Sequence, residues 1–248
     1  MARVRNVKPG RRGRTVNRPA LRVVKVSMRT SPPALLLLAA LALPLSIAAV
    51  PQSVDPSKAL DERVTRFLEK YRFGWRDMNV PEADGRTLYD IVLKNGYKRA
   101  LEIGTSTGHS GTWTAWALAK TGGRLITIDI DEGRHREALA NFKEAGLDAF
   151  IDARLADAHD LVPRLEGPFD FVFIDADKEW YTNYAKAVIP KVRVGGCIAA
   201  HNVSAGGRGR GGWRGEGSDY YSYVTSLSFL ETTVVNGQLA ISYKRAEK

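Results

Sequence analysis

Two polar groups stand directly after apolar runs in the C-terminal half of the chain. Asp175-Ala176-Asp177-Lys178 follows the run FDFVFI, and His201-Asn202 follows GCIAA. Such residues can move a proton or hold a polar ligand, and in open α/β sheets ligands sit beyond the carboxyl ends of the strands. Packing explains Asp175 poorly, because the run before it places it at the rim of a buried strand. It could instead cap the helix that follows, and Lys178 could be a solvated charge.

A second candidate site is the glycine turn in the segment ALEIGTSTGHSG, residues 100–111. Gly104 and Gly108 let the backbone pass close to a ligand and place a helix N-terminus beside it. Asp129, at the end of the next apolar run, is placed to accept hydrogen bonds from ribose hydroxyls. The spacing GxxxGxxG differs from the GxGxxG of nicotinamide and flavin enzymes, which disfavours a dehydrogenase. The alternative is a turn that only packs a helix on the sheet.

The elements that must position these residues alternate regularly. Two helices come first, one after Asp55-Pro56-Ser57 and one between Pro81 and Asn95-Gly96. Strands are then predicted at Arg99–Ile103, Arg124–Asp129, 150–155, Phe169–Ile174 and 196–200, with helices at 110–119, Glu132–Ala145, 158–165 and 179–188. Runs at 229–235 and 239–243, joined through Asn236-Gly237, predict a hairpin. The pattern predicts a doubly wound α/β fold, with a mostly parallel sheet closed by an antiparallel hairpin.

Several segments resemble a known family. LEIGTSTGHS, LITIDID, FDFVFIDADKEWYTNY and GGCIAAHNV resemble the catechol and caffeoyl-CoA type O-methyltransferases and their bacterial relatives. Met78-Asn79-Val80, followed by Gly85, resembles the segment that closes over the cofactor in catechol methyltransferases. The resemblance covers about residues 70–245. It implies a Rossmann-like class I methyltransferase fold with a seven-stranded sheet, and methyl transfer from S-adenosylmethionine to a hydroxyl of a small, aromatic, catechol-like diol.

The resemblance also implies a cofactor site. Asp129 would bind the ribose, and Asp157-Ala158 would meet the adenine. The other residues with an implied cofactor contact lie in four segments: Met78 and Val80, which would cover the methyl-sulfonium region; Glu102 and Gly104, which would line the methionine moiety; Thr105, Gly108 and Ser110 of the glycine turn; and Asp175. On physical grounds alone, Met78 could equally be a core residue.

In the resembling family the residue at Asp175 ligates a divalent cation together with an Asp-Asn pair, which predicts a metal site at Asp175, His201 and Asn202. His201 departs from the family's Asp, and imidazole suits manganese or zinc better than magnesium. The site could therefore hold a softer metal, hold a metal weakly, or hold none, with His201 an acid–base group or a structural histidine bonded to a carbonyl. The catalytic residues are predicted to be Asp175 and Lys178, and Lys178 would take or steady the hydroxyl proton.

Aromatic residues after the fourth strand are candidates for the walls of the acceptor site. Trp180, Tyr181, Tyr184 and the glycine-rich segment 206–217 with Trp213 are predicted there, although the first and third could simply pack their helix. Arg208, Arg210 and Arg214 could attract an anionic acceptor or be solvated, and Glu231 reads best as an outward strand residue. The rival hypothesis is an exported S-adenosylmethionine-binding protein with reduced or no catalysis. A homodimer is compatible with the sequence, which does not determine the oligomeric state.

The net charge of +10 belongs to the N-terminal segment. Residues 1–30 carry ten Lys or Arg and no acid, whereas the other 27 basic side chains are balanced by 27 acidic ones, which disfavours a nucleic-acid partner. Residues 33–50 are uncharged and mostly apolar, so residues 1–50 predict a signal peptide or a membrane anchor, starting at Met1 or Met28, ahead of a domain at 51–248. Export or anchoring is expected, or a cytoplasmic protein if this leader is not functional.

The single cysteine, Cys197, is expected in the core.

Overall fold

The structure is a computed structural model that describes Ser27 and residues 55–75, 78–205 and 218–247. The predicted leader at 33–50 lies outside the described residues, and export or anchoring stays a prediction. All elements given below belong to the compact unit Gln52–Lys248. In the described part of the chain, no helix is both long and apolar enough to cross a membrane.

Helices and strands alternate along this unit. Two helices come first, α1 (Pro56–Lys70) and α2 (Glu82–Asn95). The alternating part comprises β1 (Arg99–Ile103), α3 (His109–Thr121), β2 (Arg124–Asp129), α4 (Glu132–Ala145), β3 (Ile151–Leu155), α5 (Ala158–Arg164), β4 (Phe169–Ile174), α6 (Tyr181–Val188) and β5 (Val192–Ala200). The chain ends with α7 (Ser218–Ser226), β6 (Leu230–Val235) and β7 (Leu239–Lys244).

The strands form a seven-stranded sheet in the order β3-β2-β1-β4-β5-β7-β6. The strands β1 to β5 are parallel, and β7 pairs antiparallel with both β5 and β6. The chain builds outward from β1 through β2 to β3 and then returns to place β4 on the other side of β1. This reversal between β1 and β4 is where open α/β sheets bind ligands. The predicted fold class is confirmed.

The centre of the sheet is buried on both faces, and the packing of β4 shows how its carboxyl end is positioned. Phe171 and Phe173 pack in the cluster that contains residues of α1 to α4, whereas Val172 and Ile174 pack in the cluster that contains residues of α6 and α7. Alternate side chains of a strand point to opposite faces, and burial of each such side chain contributes about 1.5–3 kcal/mol. The strand is therefore anchored from both sides, and the residue after it, Asp175, is delivered to a fixed place at the sheet edge.

Besides shifts of one or two residues at other ends, the structure differs from the predicted elements in three places. β5 begins at Val192, earlier than predicted, because the exposed residues 193–195 separate the buried Val192 from the apolar run. A short 3-10 turn, Lys178–Trp180, precedes α6, so the α-helix begins later than predicted. The helix α7 was not predicted, although Tyr220 and Val224, four residues apart and both buried, are a helical signal.

The predicted C-terminal hairpin is confirmed. Asn236 and Gly237 have φ of 53° and 73°, and the Gln238 amide donates to the Val235 carbonyl at 3.2 Å. Two successive positive φ values are typical of a type I′ turn, for which Asn-Gly is a favoured pair.

Candidate active site

A cavity of about 820 Å³ lies at the carboxyl edge of the sheet, beside the β1–β4 reversal. Nine of the residues predicted for cofactor, metal or catalysis line it: Met78, Gly104, Asp129, Asp157, Ala158, Asp175, Lys178, His201 and Asn202. They come from six separate stretches of the chain, and the parallel sheet brings them together because its strand ends meet at one edge. The cavity therefore joins the predicted cofactor turn to the predicted chemical site.

The turn after β1 lies against the end of β4. Gly104 has a φ of 98°, and a Cβ at this position would overlap the backbone carbonyl of Asp175. The amides of Gly104 and Thr105 both donate to the carbonyl of Ile128, at 3.0 and 3.1 Å. Both the backbone conformation and the close approach require glycine at residue 104. The turn thus passes directly beside the residue that carries the candidate chemistry.

Asp129, at the end of β2, is fixed by two backbone amides. Its Oδ2 accepts from the Ser106 amide at 2.7 Å, and its Oδ1 accepts from the Asp131 amide at 2.9 Å. Each carboxylate oxygen keeps a further lone pair, so the group can still accept hydrogen bonds from two neighbouring hydroxyls. Its orientation is set before any ligand arrives.

A buried polar layer lies beneath the turn. Thr127 donates to Glu102 Oε2 at 2.6 Å, and the hydroxyls of Thr127 and Thr105 are 2.5 Å apart. Glu102 is completely buried; burial raises its pKa to about 7, with Ser110 and Thr127 opposing that shift by hydrogen bonds. Gly108 is needed for packing, since a Cβ there would lie 2.7 Å from the Phe142 ring.

Five predicted cofactor residues are not on the cavity wall. Glu102, Thr105, Gly108, Ser110 and Val80 are all buried or packed behind it. Their direct contact with the cofactor stays a prediction.

The segment before α2 is tied to the start of α3. Asn79 Nδ2 donates to Thr107 Oγ1 at 2.8 Å, and the His109 amide donates to Asn79 Oδ1 at 3.3 Å. Val80 is buried, and its carbonyl lies 2.9 Å from His109 Nδ1. Met78, by contrast, is 74% exposed at the cavity mouth, which argues against a core role.

Asp175 is surrounded by donors on side chains. Its Oδ1 accepts from Lys178 Nζ at 2.8 Å and from the Tyr181 hydroxyl at 3.2 Å, and Lys178 Nζ also donates to that hydroxyl at 2.6 Å. Burial alone would raise the pKa of Asp175, but His201 and Lys178 hold it below its usual value. The alternative role as a helix cap is not what the structure shows, because these partners are side chains and not the amides of α6.

His201, after β5, lies between two carboxylates. Its Nδ1 is 3.2 Å from Asp175 Oδ2, and its Nε2 is 3.0 Å from Asp84 Oδ2. Asp84, in the first turn of α2, is only 1% exposed, and it also accepts from the side-chain amides of Asn236 at 2.7 Å and Gln238 at 2.9 Å. Burial alone would lower the pKa of His201, but hydrogen bonds and charge from Asp175 and Asp84 raise it to about 9. The partners of His201 are therefore carboxylates rather than a carbonyl.

The residues predicted to ligate a metal do not fit one in this arrangement. Both ring nitrogens of His201 face carboxylate oxygens, which only accept, so both nitrogens act as donors and neither offers a lone pair. Among the described residues, no group of three or more His, Cys, Asp or Glu side chains is arranged to hold a metal ion. Of the predicted set, Asn202 is exposed at the cavity wall and Asp175 is already paired with two cations.

The predicted acceptor walls divide into three groups. Tyr184 lines the cavity, with its hydroxyl donating to Asp177 at 2.8 Å. Tyr181 is buried behind Asp175, while Trp180 stacks on His159 with ring centroids 3.8 Å apart. The segment 206–217, with Trp213 and the three arginines, lies outside the described residues.

Glu231 pairs with Arg245 at 2.6 Å on an exposed part of the hairpin, which agrees with an outward strand residue. Cys197 is completely buried, as expected.

The structure also reveals cavity residues that sequence reasoning missed. Ile130 is 70% exposed and lines the cavity beside Asp129, and Arg134 and His159 line it from α4 and α5. The sequence signal for Ile130 was an apolar residue directly after the acidic residue that ends a strand. Asp84 had no such signal, because its partner His201 is 117 residues away in the chain.

A family profile described as O-methyltransferase matches residues 51–209, more than half of the chain. This chain belongs to the O-methyltransferase family. The match confirms the family predicted from the motifs and identifies the chain as an enzyme of the S-adenosylmethionine-dependent O-methyltransferase class, of the catechol and caffeoyl-CoA type.

Similar curated proteins agree with this assignment. A flavonoid 3',5'-methyltransferase of Vitis vinifera is 34% identical over 165 residues, which cover 64% of this chain and 68% of the relative. A catechol O-methyltransferase of Niastella koreensis is 42% identical over 139 residues, covering 54% of this chain and 62% of the relative. A caffeoyl-CoA O-methyltransferase of Eucalyptus globulus is 32% identical over 164 residues, covering 64% of each. The methyltransferase thus spans about two thirds of the length of these relatives.

Solved structures of similar proteins hold S-adenosylmethionine or S-adenosylhomocysteine. The O-methyltransferase TomG of Streptomyces achromogenes, solved with S-adenosylmethionine, has a TM-score of 0.61 at 26% identity, with coverage of 75% of this chain and 91% of that one. An O-methyltransferase of Bacillus cereus, solved with S-adenosylhomocysteine, has a TM-score of 0.59 at 26% identity, with coverage of 79% and 94%. These relatives support S-adenosylmethionine as the methyl donor.

Proposed function

We propose that this methyltransferase transfers a methyl group from S-adenosylmethionine to a hydroxyl of a small aromatic diol. The observation that carries the proposal is a single cavity that holds both the glycine turn with Asp129 and the Asp175–Lys178 pair. The relatives named for flavonoid, catechol and caffeoyl-CoA substrates support an aromatic acceptor. Tyr184 adds an aromatic wall beside the pair.

The methyl donor would occupy the side of the cavity near β1 and β2. The two carboxylate oxygens of Asp129 accept from the ribose hydroxyls, which is why their prior orientation by backbone amides matters. Ile130 offers exposed apolar surface to the adenine, next to Asp157 and Ala158. Met78, at the mouth of the cavity, covers the sulfonium end.

The acceptor hydroxyl would lie beside Lys178. The Lys178 amine is held by Asp175 and Tyr181, so it cannot swing freely into solvent. In the reaction the acceptor oxygen forms a bond to the methyl carbon as the sulfur–methyl bond breaks, and the hydroxyl proton leaves the acceptor. In the resting site Lys178 is a cation, so its ammonium steadies the oxyanion as the hydroxyl proton passes to solvent water, and the fixed geometry holds the oxygen near attack distance. A metal is not part of this proposal, because the donor set around His201 does not fit one.

The proposal is tested by binding and turnover together. Titration with S-adenosylhomocysteine should show one site per chain, and Asp129→Ala should weaken that affinity at least about tenfold by removing two charge-assisted hydrogen bonds. The matched control is Asp131→Ala, which removes the neighbouring carboxylate that caps α4. A screen of catechols and monophenols with labelled S-adenosylmethionine should give turnover with diols. Cofactor binding without turnover on any acceptor would favour the rival hypothesis of a binding protein.

A further inference from the structure

The cluster Asp84–His201–Asp175 joins three elements that are distant in sequence. Asp84 comes from the first turn of α2, Asp175 follows β4, and His201 follows β5. His201 is 5% exposed and Asp84 is 1% exposed. Water therefore does not compete for the hydrogen bonds of the His201 ring. The cluster therefore holds the ring of His201 in one orientation from both sides.

The hydrogen-bond chemistry of the cluster determines the state of the ring. The Asp84 carboxylate already accepts from the amides of Asn236 and Gln238, and the Asp175 carboxylate already accepts from Lys178. A neutral imidazole has one donor and one acceptor nitrogen, and its acceptor nitrogen would face a carboxylate oxygen with no proton between them. Both contacts are satisfied only when both nitrogens carry a proton.

A fixed imidazolium brings one positive charge to the place where the sequence resemblance predicts a metal. Lys178 supplies a second positive charge on the other oxygen of Asp175, so two cations balance the two carboxylates. For a divalent cation to bind here, the His201 ring would have to lose a proton and rotate away from Asp84. The cation would also add two positive charges to a cluster whose charges already cancel. The arrangement thus disfavours metal entry and already supplies a cation.

We propose that the imidazolium of His201, clamped between Asp84 and Asp175, takes the place of the divalent cation, and that this methyltransferase works without a metal. This inference rests on the proposed function. His201 supplies positive charge beside the acceptor oxygens at the cavity wall, where the neighbouring Asn202 adds an amide. Asp84 is a positioning residue, since it acts on the reaction only by holding the ring of His201.

Metal binding tests the proposal without any acceptor. Chelator-treated wild-type protein should show no stoichiometric Mn²⁺ binding by electron paramagnetic resonance. His201→Asp places a third carboxylate beside Asp84 and Asp175 and should bind one Mn²⁺ per chain, at least about tenfold more tightly than wild type. His201→Asn, which adds no charge, is the matched control and should not gain this site. Stoichiometric Mn²⁺ binding in wild type that is lost in Asp175→Asn would overturn the proposal, whatever the variants at residue 201 do.

Turnover supplies the second readout. Wild-type activity should be the same with chelator and with added Mn²⁺ or Mg²⁺, whereas any activity of His201→Asp should require the metal. A fall of about tenfold or more in wild-type turnover on chelation would contradict the inference. S-adenosylhomocysteine titration of the same samples separates this result from a failure of the proposed function. If no acceptor is turned over, the Mn²⁺ measurement still decides the question.

Asp84→Asn tests the positioning role. It preserves size but removes the charge that holds the ring, so we expect turnover to fall about 10- to 100-fold while the affinity for S-adenosylhomocysteine stays unchanged. Nitrogen NMR of the His201 ring should show two protonated nitrogens in wild type and not in the variant. A purely structural role for Asp84 would leave the ring signals of the folded variant as in wild type, and that outcome would refute the assignment.

Discussion

The carboxyl of Glu102 predicts an unusual dependence of stability on pH. Burial raises its pKa from 4.5 in the unfolded chain to about 7 in the folded protein, so the folded state holds the proton more tightly. Below pH 4.5 both states are protonated and the group has no effect on stability. Between pH 4.5 and 7 the unfolded chain loses the proton first, and stability falls as pH rises.

The size of this effect follows from the shift. One pKa unit corresponds to about 1.4 kcal/mol, so ionised Glu102 should lower the free energy of unfolding by about 3 kcal/mol above pH 7. Glu102→Gln cannot ionise and keeps an acceptor for Thr127. The difference in stability between variant and wild type should therefore grow by about 2.5 kcal/mol, in favour of the variant, from pH 5 to pH 8.

Urea unfolding at a series of pH values measures this difference directly. Glu137→Gln, which makes the same substitution at an exposed position of α4, is the matched control. A constant offset between wild type and Glu102→Gln, within about 1 kcal/mol over this range, would refute the reasoning that burial in the layer beneath the turn raises this pKa.

Three other predictions concern the cavity and the leader. Gly104→Ala should destabilise the fold at least twice as much as Gly96→Ala in thermal unfolding. Both substitutions add backbone strain of about 1 kcal/mol, but only Gly104→Ala also overlaps the Asp175 carbonyl, and equal losses would contradict this geometry. Lys178→Met should lower turnover by about 100-fold or more while leaving S-adenosylhomocysteine affinity unchanged, with Lys186→Met on the exposed side of α6 as the control; a loss shared by both would remove the proton-handling role. Mass spectrometry of the protein from its native source should find a mature N-terminus near residue 50 if the leader is cleaved, and an intact leader in a soluble protein would contradict both export and anchoring.

The bounds of three interior strands of the sheet were predictable to the residue from sequence. β1, β2 and β4 have the predicted bounds because both of their faces are buried, and a short apolar run then coincides with the whole strand. β5 exceeds its apolar run because Val192 pairs with Phe169 across an irregularity in the ladder, ahead of the regular pairing that begins at Cys197. Backbone pairing, which sets the end of a strand, is therefore only partly recorded in hydrophobicity.

The candidate site was predictable where it depends on strand ends and not where it depends on long-range contacts. Asp129, Asp175 and His201 each end or follow a recognisable strand, so their convergence follows from the parallel sheet. Asp84, the partner of His201, lies in the first turn of α2. In sequence analysis, an acidic residue at such a position is normally explained by its favourable interaction with the helix N-terminus. Only its long-range hydrogen bonds with His201, Asn236 and Gln238 show it as a buried carboxylate that accepts from the second nitrogen of the His201 ring.

The type I′ turn between β6 and β7 ties the last part of the chain to the chemistry of the cavity. Asn236 and Gln238 supply two of the amide protons that satisfy Asp84, so the anchor of His201 is assembled from both ends of the domain. During synthesis, a nascent chain that has not yet released this hairpin cannot complete the anchor. A protein truncated before residue 229 would leave the Asp84 carboxylate short of partners, so loss of the C-terminus should disable the enzyme even though every residue on the cavity wall is still present.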